Sequence, residues 1–219
     1  GSGQIGQSLI ATLLERGHNA TGTYYDNPSA GLIRLEAFNN SDVAAVMGSI
    51  NPSTVVNCLN APGGTDACEL DPELAYRSHF ESGRYLADAA NQVGAKFVQI
   101  SSDYVFDGNG GPYAETDVAM PLSRLGQAKL ALENYVLEQT PEALVVRTSF
   151  VFSWTPASKT KNFVMQILDA GQSGTTMTVP TDQVGNVTYA PNFTEALTEL
   201  LEQGQSGLYH LAGTTRCSK

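Results

Sequence analysis

Basic residues are scarce in this chain: 12 Lys and Arg stand against 22 Asp and Glu, a formal net charge of −10. A field of that sign repels nucleic acid and anionic membrane surfaces, so neither is an expected partner. A nucleotide ligand has to find local donors against it. Cysteine is scarce as well. Cys58, Cys68 and Cys217 are odd in number and unrelated in spacing, which argues against both a disulfide framework and a zinc site. No metal is expected. No apolar run approaches the roughly 18 residues that a membrane span needs. No charged-then-apolar leader opens the sequence either. The expectation is a soluble protein in a reducing cytoplasm.

What is present is enough for one sizeable core: 219 residues, 42% hydrophobic and 16% charged. Apolar positions three or four apart predict helices over 4–16, 72–93 and 127–139. Short runs rich in Val, Ile, Phe and Thr predict strands at 20–24, 54–58, 96–101 and 143–148. Strands alternating with helices imply parallel pairing, hence a Rossmann-like, doubly wound α/β sheet whose ligands sit at the carboxyl ends of its strands. After Phe152 the rhythm changes, with a Ser/Thr/Lys-rich stretch, a helix at 162–170, a strand at 176–179, a helix at 191–203 and a strand at 207–212. This divides the chain into a dinucleotide-binding domain over 1–152 and a smaller, mainly substrate-binding lobe over 153–219, with 191–212 partly packing back on the first domain. A buried central strand belongs ahead of Gly1, and a closing helix belongs after Lys219. The chain therefore reads as lacking flanking residues at both ends.

Gly1-Ser2-Gly3-Gln4-Ile5-Gly6 has the G-x-G-x-x-G spacing that turns a strand tightly into a helix and brings backbone N–H groups to a pyrophosphate. Alone the motif is weak, since glycines also serve any tight turn; the βαβ context favours a dinucleotide, NAD or NADP. The ribose-recognising position stays open between Asp26, at the right distance, and Tyr24, at the end of the second strand. NAD versus NADP stays open with it. Cys58-Leu59-Asn60-Ala61 either flanks the cofactor or is an ordinary strand exit.

Ser101-Ser102-Asp103-Tyr104-Val105-Phe106-Asp107-Gly108, followed by Pro112-Tyr113, Glu115, Asp117 and Pro121, closely resembles the dTDP-4-dehydrorhamnose reductase family of extended short-chain dehydrogenases/reductases. Arg147-Thr148-Ser149, Trp154-Thr155-Pro156, Asn162-Phe163-Val164, Asp182-Gln183 and the run from Gly207 to Gly213 carry the likeness through nearly the whole chain. It implies an extended Rossmann domain with a sugar-nucleotide lobe, and NAD(P)H-dependent reduction of a 4-keto sugar carried on a deoxynucleoside diphosphate. The cofactor would lie on Gly1, Gly3, Gln4, Ile5, Gly6, Tyr24, Cys58, Leu59, Ser101 and Lys129. A homodimer is left open.

The resemblance also assigns roles. Ser102 corresponds to the family's Ser/Thr, whose hydroxyl polarises the substrate carbonyl; a capping serine is the plainer reading. The family's Tyr-x-x-x-Lys falls on Leu125 and Lys129, so the lysine is kept and the tyrosine is not. In a complete site the lysine holds the nicotinamide ribose and lowers the phenol's pKa, and the phenol protonates the forming alkoxide. Leucine has no proton to give. Tyr104, His79 or water are the substitutes, and His79, where the family usually has asparagine, also reads as a satisfied core histidine. Asn186-Val187-Thr188 replaces a Ser-Pro-Thr-like segment. Two main functions follow: a reductase with impaired or altered proton donation, having Ser102, Lys129 and Tyr104 as catalytic residues, or a non-catalytic cofactor- or nucleotide-sugar-binding or regulatory subunit; an epimerase or dehydratase on the same scaffold is a third, though those also normally use the tyrosine.

Overall fold

Residues 1–140, 142–154 and 161–218 are described by a computed structural model. Its spine is a four-stranded, wholly parallel sheet in the order β3 (Thr54–Asn57), β4 (Lys96–Ser102), β5 (Leu144–Thr148) and β9 (Gly207–His210). A second parallel pair, β1 (Thr23–Tyr24) with β2 (Ile33–Arg34), is not hydrogen-bonded to it. The period-2 alternation of β4 explains the layering. Phe97 packs on one face with α2 (Asn40–Ile50), α5 (Ser82–Gln92) and α6 (Arg124–Gln139), through Val43, Met47, Leu86, Ala90, Leu132 and Val136. Val98 and Ile100 pack on the other face with Leu9 of α1 (Gln4–Glu15) and Phe193 and Leu197 of α8 (Ala190–Glu202). Helices on both faces of a parallel sheet make the doubly wound α/β architecture.

The helix predicted over 72–93 is in three parts: α4 (Pro72–Tyr76), a π turn at Arg77–Glu81, and α5. The π turn lets the chain stay helical while Ser78 and His79, neighbours in sequence, are both buried. A further helix, α3 (Gly64–Leu70), precedes it. Beyond β6 (Val151–Phe152) come α7 (Phe163–Ser173), β7 (Val184–Asn186), β8 (Thr188–Tyr189) and β10 (Arg216–Ser218); β6 pairs with β8, and β7 with β10. The strand expected at 176–179 does not form. Its β-branched residues have no partner strand there, and β propensity without a ladder does not hold a strand. The ladder is made a few residues later by β7.

α1 and α8 are joined by a buried Thr12–Thr194 hydroxyl pair at 2.9 Å and, at the surface, by Arg16 reaching Glu195 and Glu202 at 2.7 Å each. A very different ion pair lies inside: Arg147 of β5 donates three hydrogen bonds to Glu133 of α6, at 2.6–3.1 Å. Removing one partner of such a pair strands a charge away from water. Arg147→Met is therefore expected to cost about 3–5 kcal/mol, read as a lowered urea midpoint. Arg16→Met should move it little, because surface pairs are screened.

Candidate functional site

The glycine-rich turn lies where α1 leaves the β1 edge. Ser2 N–H donates to Thr23 O at 3.1 Å, and a side chain on Gly1 would meet Thr23 N at 2.6 Å. A side chain on Gly6 would meet the Gly1 backbone at 2.9 Å. Those two glycines let the turn close. Gly3 differs: it is the N-cap of α1, makes no side-chain cap, and a Cβ there meets nothing within 4 Å. The first turn of α1 has no acidic side chain, so the positive end of the helix dipole is not neutralised by the helix itself. These residues fit a bound pyrophosphate. Gln4 is the first residue of α1, and Ile5 is packed beneath it against the β4 face of the core.

Tyr24 ends β1, half-buried, whereas Asp26 is exposed in the loop beyond. At the exit of β3 the chain splits its side chains between layers: Cys58 packs with the α1 side of the sheet and Leu59 with the α5–α6 side. Asn57 Oδ1 fixes this exit by accepting from Leu59 N–H at 3.0 Å. Cys58 packs in one cluster with Ile5 of α1 and Ile100 of β4, and Lys129 Nζ donates to Ile100 O, so the start of α1, the β3 exit and α6 meet around β4.

Lys129 is 8% exposed. Burial lowers its pKa from 10.5 to about 8, with Glu133 as the largest opposing influence. Its Nζ donates to Ile100 O at 3.4 Å, a long bond that leaves ammonium hydrogens for another acceptor. Ser101 Oγ of β4 and Ser78 Oγ and His79 Nε2 of the π turn are buried without a hydrogen-bond partner among the described residues. His79, 3% exposed, is held to a pKa of about 3 by burial first and by Lys129 second. It is a neutral imidazole at ordinary pH, so it carries no imidazolium proton to donate.

Ser102 ends β4 and accepts from Tyr104 N–H at 3.3 Å. It is therefore a capping serine, and its own O–H remains a donor. Leu125 is 4% exposed and packs with Ala61, Cys68 and Ala75, against which Leu74 and the Tyr104 ring also lie. Gly126 permits this closeness: a Cβ there would run into Tyr104 O. Thus Tyr104 shares Leu125's cluster, and Ser102 is bonded to Tyr104's backbone.

Two connections had no signal in the sequence. Arg147 Nη1 lies 3.4 Å from His210 Nε2, and Arg147 lies over Phe106, which stacks on Tyr113 with ring centroids 4.2 Å apart. His210 N–H donates to Glu115 at 2.8 Å. The loop after β4 is thereby clamped to the β5–β9 edge. Asn162, the N-cap of α7, donates to Gln4 Oε1 at 2.9 Å. Nothing in the spacing of residues 4 and 162 announces that bond. Trp154 is exposed; Thr155 and Pro156 lie outside the described residues.

Two predictions follow from this geometry. Gly3→Ala should leave stability unchanged while weakening dinucleotide binding, and Gly6→Ala should lower stability; thermal melts with and without NADP+ separate the two. For Lys129, the unfolded chain keeps the proton up to about 10.5 and the folded one only to about 8. Wild-type stability therefore rises with pH between those values, and below about 8 the whole penalty of burying the ammonium applies. Lys129→Met should be more stable than wild type at pH 7 by on the order of 3 kcal/mol. That advantage should fade toward pH 10.5, as read by urea melts across the range.

Comparison with known proteins places this geometry. The family model described as the RmlD substrate binding domain matches residues 1–219. A dTDP-4-dehydrorhamnose reductase of Escherichia coli is 34% identical over 226 residues, covering 98% of this chain and 71% of that protein. A crystal structure of dTDP-4-dehydrorhamnose reductase from Bacillus anthracis in complex with NADP superposes with TM-score 0.85 at 30% identity, covering 99% of this chain and 73% of that one. A hypothetical dTDP-4-dehydrorhamnose reductase from Sulfolobus tokodaii gives TM-score 0.87 at 28% identity, over 99% and 75% of the two chains. With the uncapped glycine turn, the buried lysine and the Ser-Ser-Asp-Tyr corner around β4, the chain belongs to the dTDP-4-dehydrorhamnose reductase family.

Proposed function

We propose that this protein is an NAD(P)H-dependent oxidoreductase that reduces a nucleotide-linked 4-keto sugar, with proton donation altered by Leu125. The observation that carries the reading is the meeting, around β4, of a helix N-terminus with no acidic side chain in its first turn and a buried lysine that has donors to spare. The first suits a pyrophosphate and the second suits ribose hydroxyls, two parts of one dinucleotide. The relative crystallised with NADP supports the same cofactor class.

When bound, the reduced nicotinamide supplies the hydride that goes to the carbonyl carbon. The chain's own task is the oxygen. Ser102 O–H donates to the substrate carbonyl and stabilises charge developing there. Lys129 Nζ holds the ribose. The proton that completes the alcohol comes from the Tyr104 phenol or from water, since Leu125 has none and His79 is neutral. The cofactor contacts proposed are Gly1, Gly3, Gln4, Ile5, Gly6, Tyr24, Cys58, Leu59, Ser101 and Lys129. The 1–152 and 153–219 division into cofactor and sugar-nucleotide parts, a homodimer and a cytoplasmic location belong to the same proposal. Among the described residues no helix is long and apolar enough to cross a membrane.

The second reading, a non-catalytic cofactor- or nucleotide-sugar-binding or regulatory subunit, is favoured by one observation: the position expected to hold the acid is instead part of an apolar cluster. Nicotinamide oxidation with dTDP-4-keto-6-deoxy sugar separates the two. Weak wild-type turnover and a gain on Leu125→Tyr, bounded by the roughly 10²–10⁴-fold worth of a positioned general acid, support the reductase. The larger ring costs about 1–3 kcal/mol of overpacking, so a melt accompanies each assay. A folded, NADPH-binding Leu125→Tyr protein without turnover would leave the binding-subunit reading.

A further inference from the structure

Gln4 has two ends with different partners. Its backbone N–H is one of the uncapped donors in the first turn of α1, at the edge proposed for the pyrophosphate. Its side-chain Oε1 accepts a 2.9 Å hydrogen bond from Asn162 Nδ2. Asn162 is fully committed: Nδ2 also donates to Ser153 O at 2.7 Å, and Oδ1 accepts from Met165 N–H at 3.1 Å as the cap of α7. One amide therefore joins the start of α7, the exit of β6 and the cofactor turn.

α7 depends on such a tie because it has little packing of its own. Met165 is its buried side chain, while Ile167 and Leu168 remain exposed. The Lys161–Asp169 ion pair and the bond from Gln166 Nε2 to Lys161 O, 2.8 Å, both close within the same segment. An element with few buried apolar contacts sits at the low-stability end of a structure, and a hydrogen-bonded anchor then decides where it rests.

We infer that the Gln4–Asn162 hydrogen bond makes these two residues a positioning pair, through which dinucleotide on the glycine turn sets α7 and raises the protein's affinity for a nucleoside-diphosphate sugar. This rests on the proposed reductase reading. Anion binding at the first turn fixes Gln4, Gln4 fixes Asn162, and Asn162 fixes the first turn of α7. Coupling of this kind is reciprocal, so the sugar nucleotide tightens the dinucleotide by the same factor.

The test is a linkage measurement with dTDP as probe, by calorimetry with and without saturating NADP+. Wild type is compared with Gln4→Met, Asn162→Ser and the double variant. Methionine keeps the bulk of Gln4 without the acceptor. Serine keeps a good N-cap but is too short to reach Gln4. The expected wild-type result is dTDP affinity raised about fivefold or more by NADP+. That factor should fall toward one in either single variant and no further in the double variant, because both cut the same bond. A purely structural role would not produce that non-additivity. Equal coupling in all four proteins, additive losses, or a wild-type factor of one with both ligands bound would each overturn the pair while leaving the reductase reading intact. Wild type binding neither NADP+ nor dTDP would overturn both. Should Asn162→Ser fail to fold, Gln4→Met alone decides, since it touches no cap of α7.

Discussion

The buried Glu133–Arg147 ion pair is the constraint on which the candidate site depends. Glu133 stands one helical turn beyond Lys129, which stands one turn beyond Leu125, so the three share a face of α6. Holding Glu133 against β5 fixes the rotation of α6, and with it the direction in which the other two point. The same guanidinium approaches His210 on β9 and covers Phe106 in the loop after β4. A helix, two strands and a loop are referenced to one cation. Its carboxylate partner also raises the Lys129 pKa, opposing the desolvation that lowers it.

The elements with strong periodicity were legible in sequence. α1, β4, α6 and α8 were expected within a few residues of where they form, because each carries a continuous apolar stripe or run that one layer of the core needs. α2 was not expected. Its stripe is thin, with Val43 and Met47 buried among small and polar residues, and its strongest signal is Asn39, whose side chain caps Ser41 and Asp42 N–H. The π turn was illegible because it leaves the helical pattern around it intact. At the site, the glycine turn announced itself by spacing, and Lys129 only through the family resemblance. The Gln4–Asn162 and Arg147–His210 contacts did not, since each joins residues distant in sequence that only the folded topology brings together.

Leu125 sits in packing that has no use for a polar group. The surroundings of that position are apolar, with Ala61, Cys68 and Ala75 closing around it and the Tyr104 ring against them. A branched aliphatic side chain satisfies such a cluster without needing a hydrogen-bond partner. One turn further along, Lys129 instead turns its polar end to the Ile100 carbonyl of β4, the strand that also carries the buried Ser101. Apolar packing and polar chemistry thus occupy successive turns of the same helix face.

Cys58 stands at the crossing of these elements, and its thiol is pushed up to about 11 by burial, against the smaller pull of nearby positive charge. At neutral pH only about one such sulfur in ten thousand is a thiolate, and the thiolate is the form that attacks electrophiles and peroxides. Here burial holds the sulfur in its less reactive protonated form.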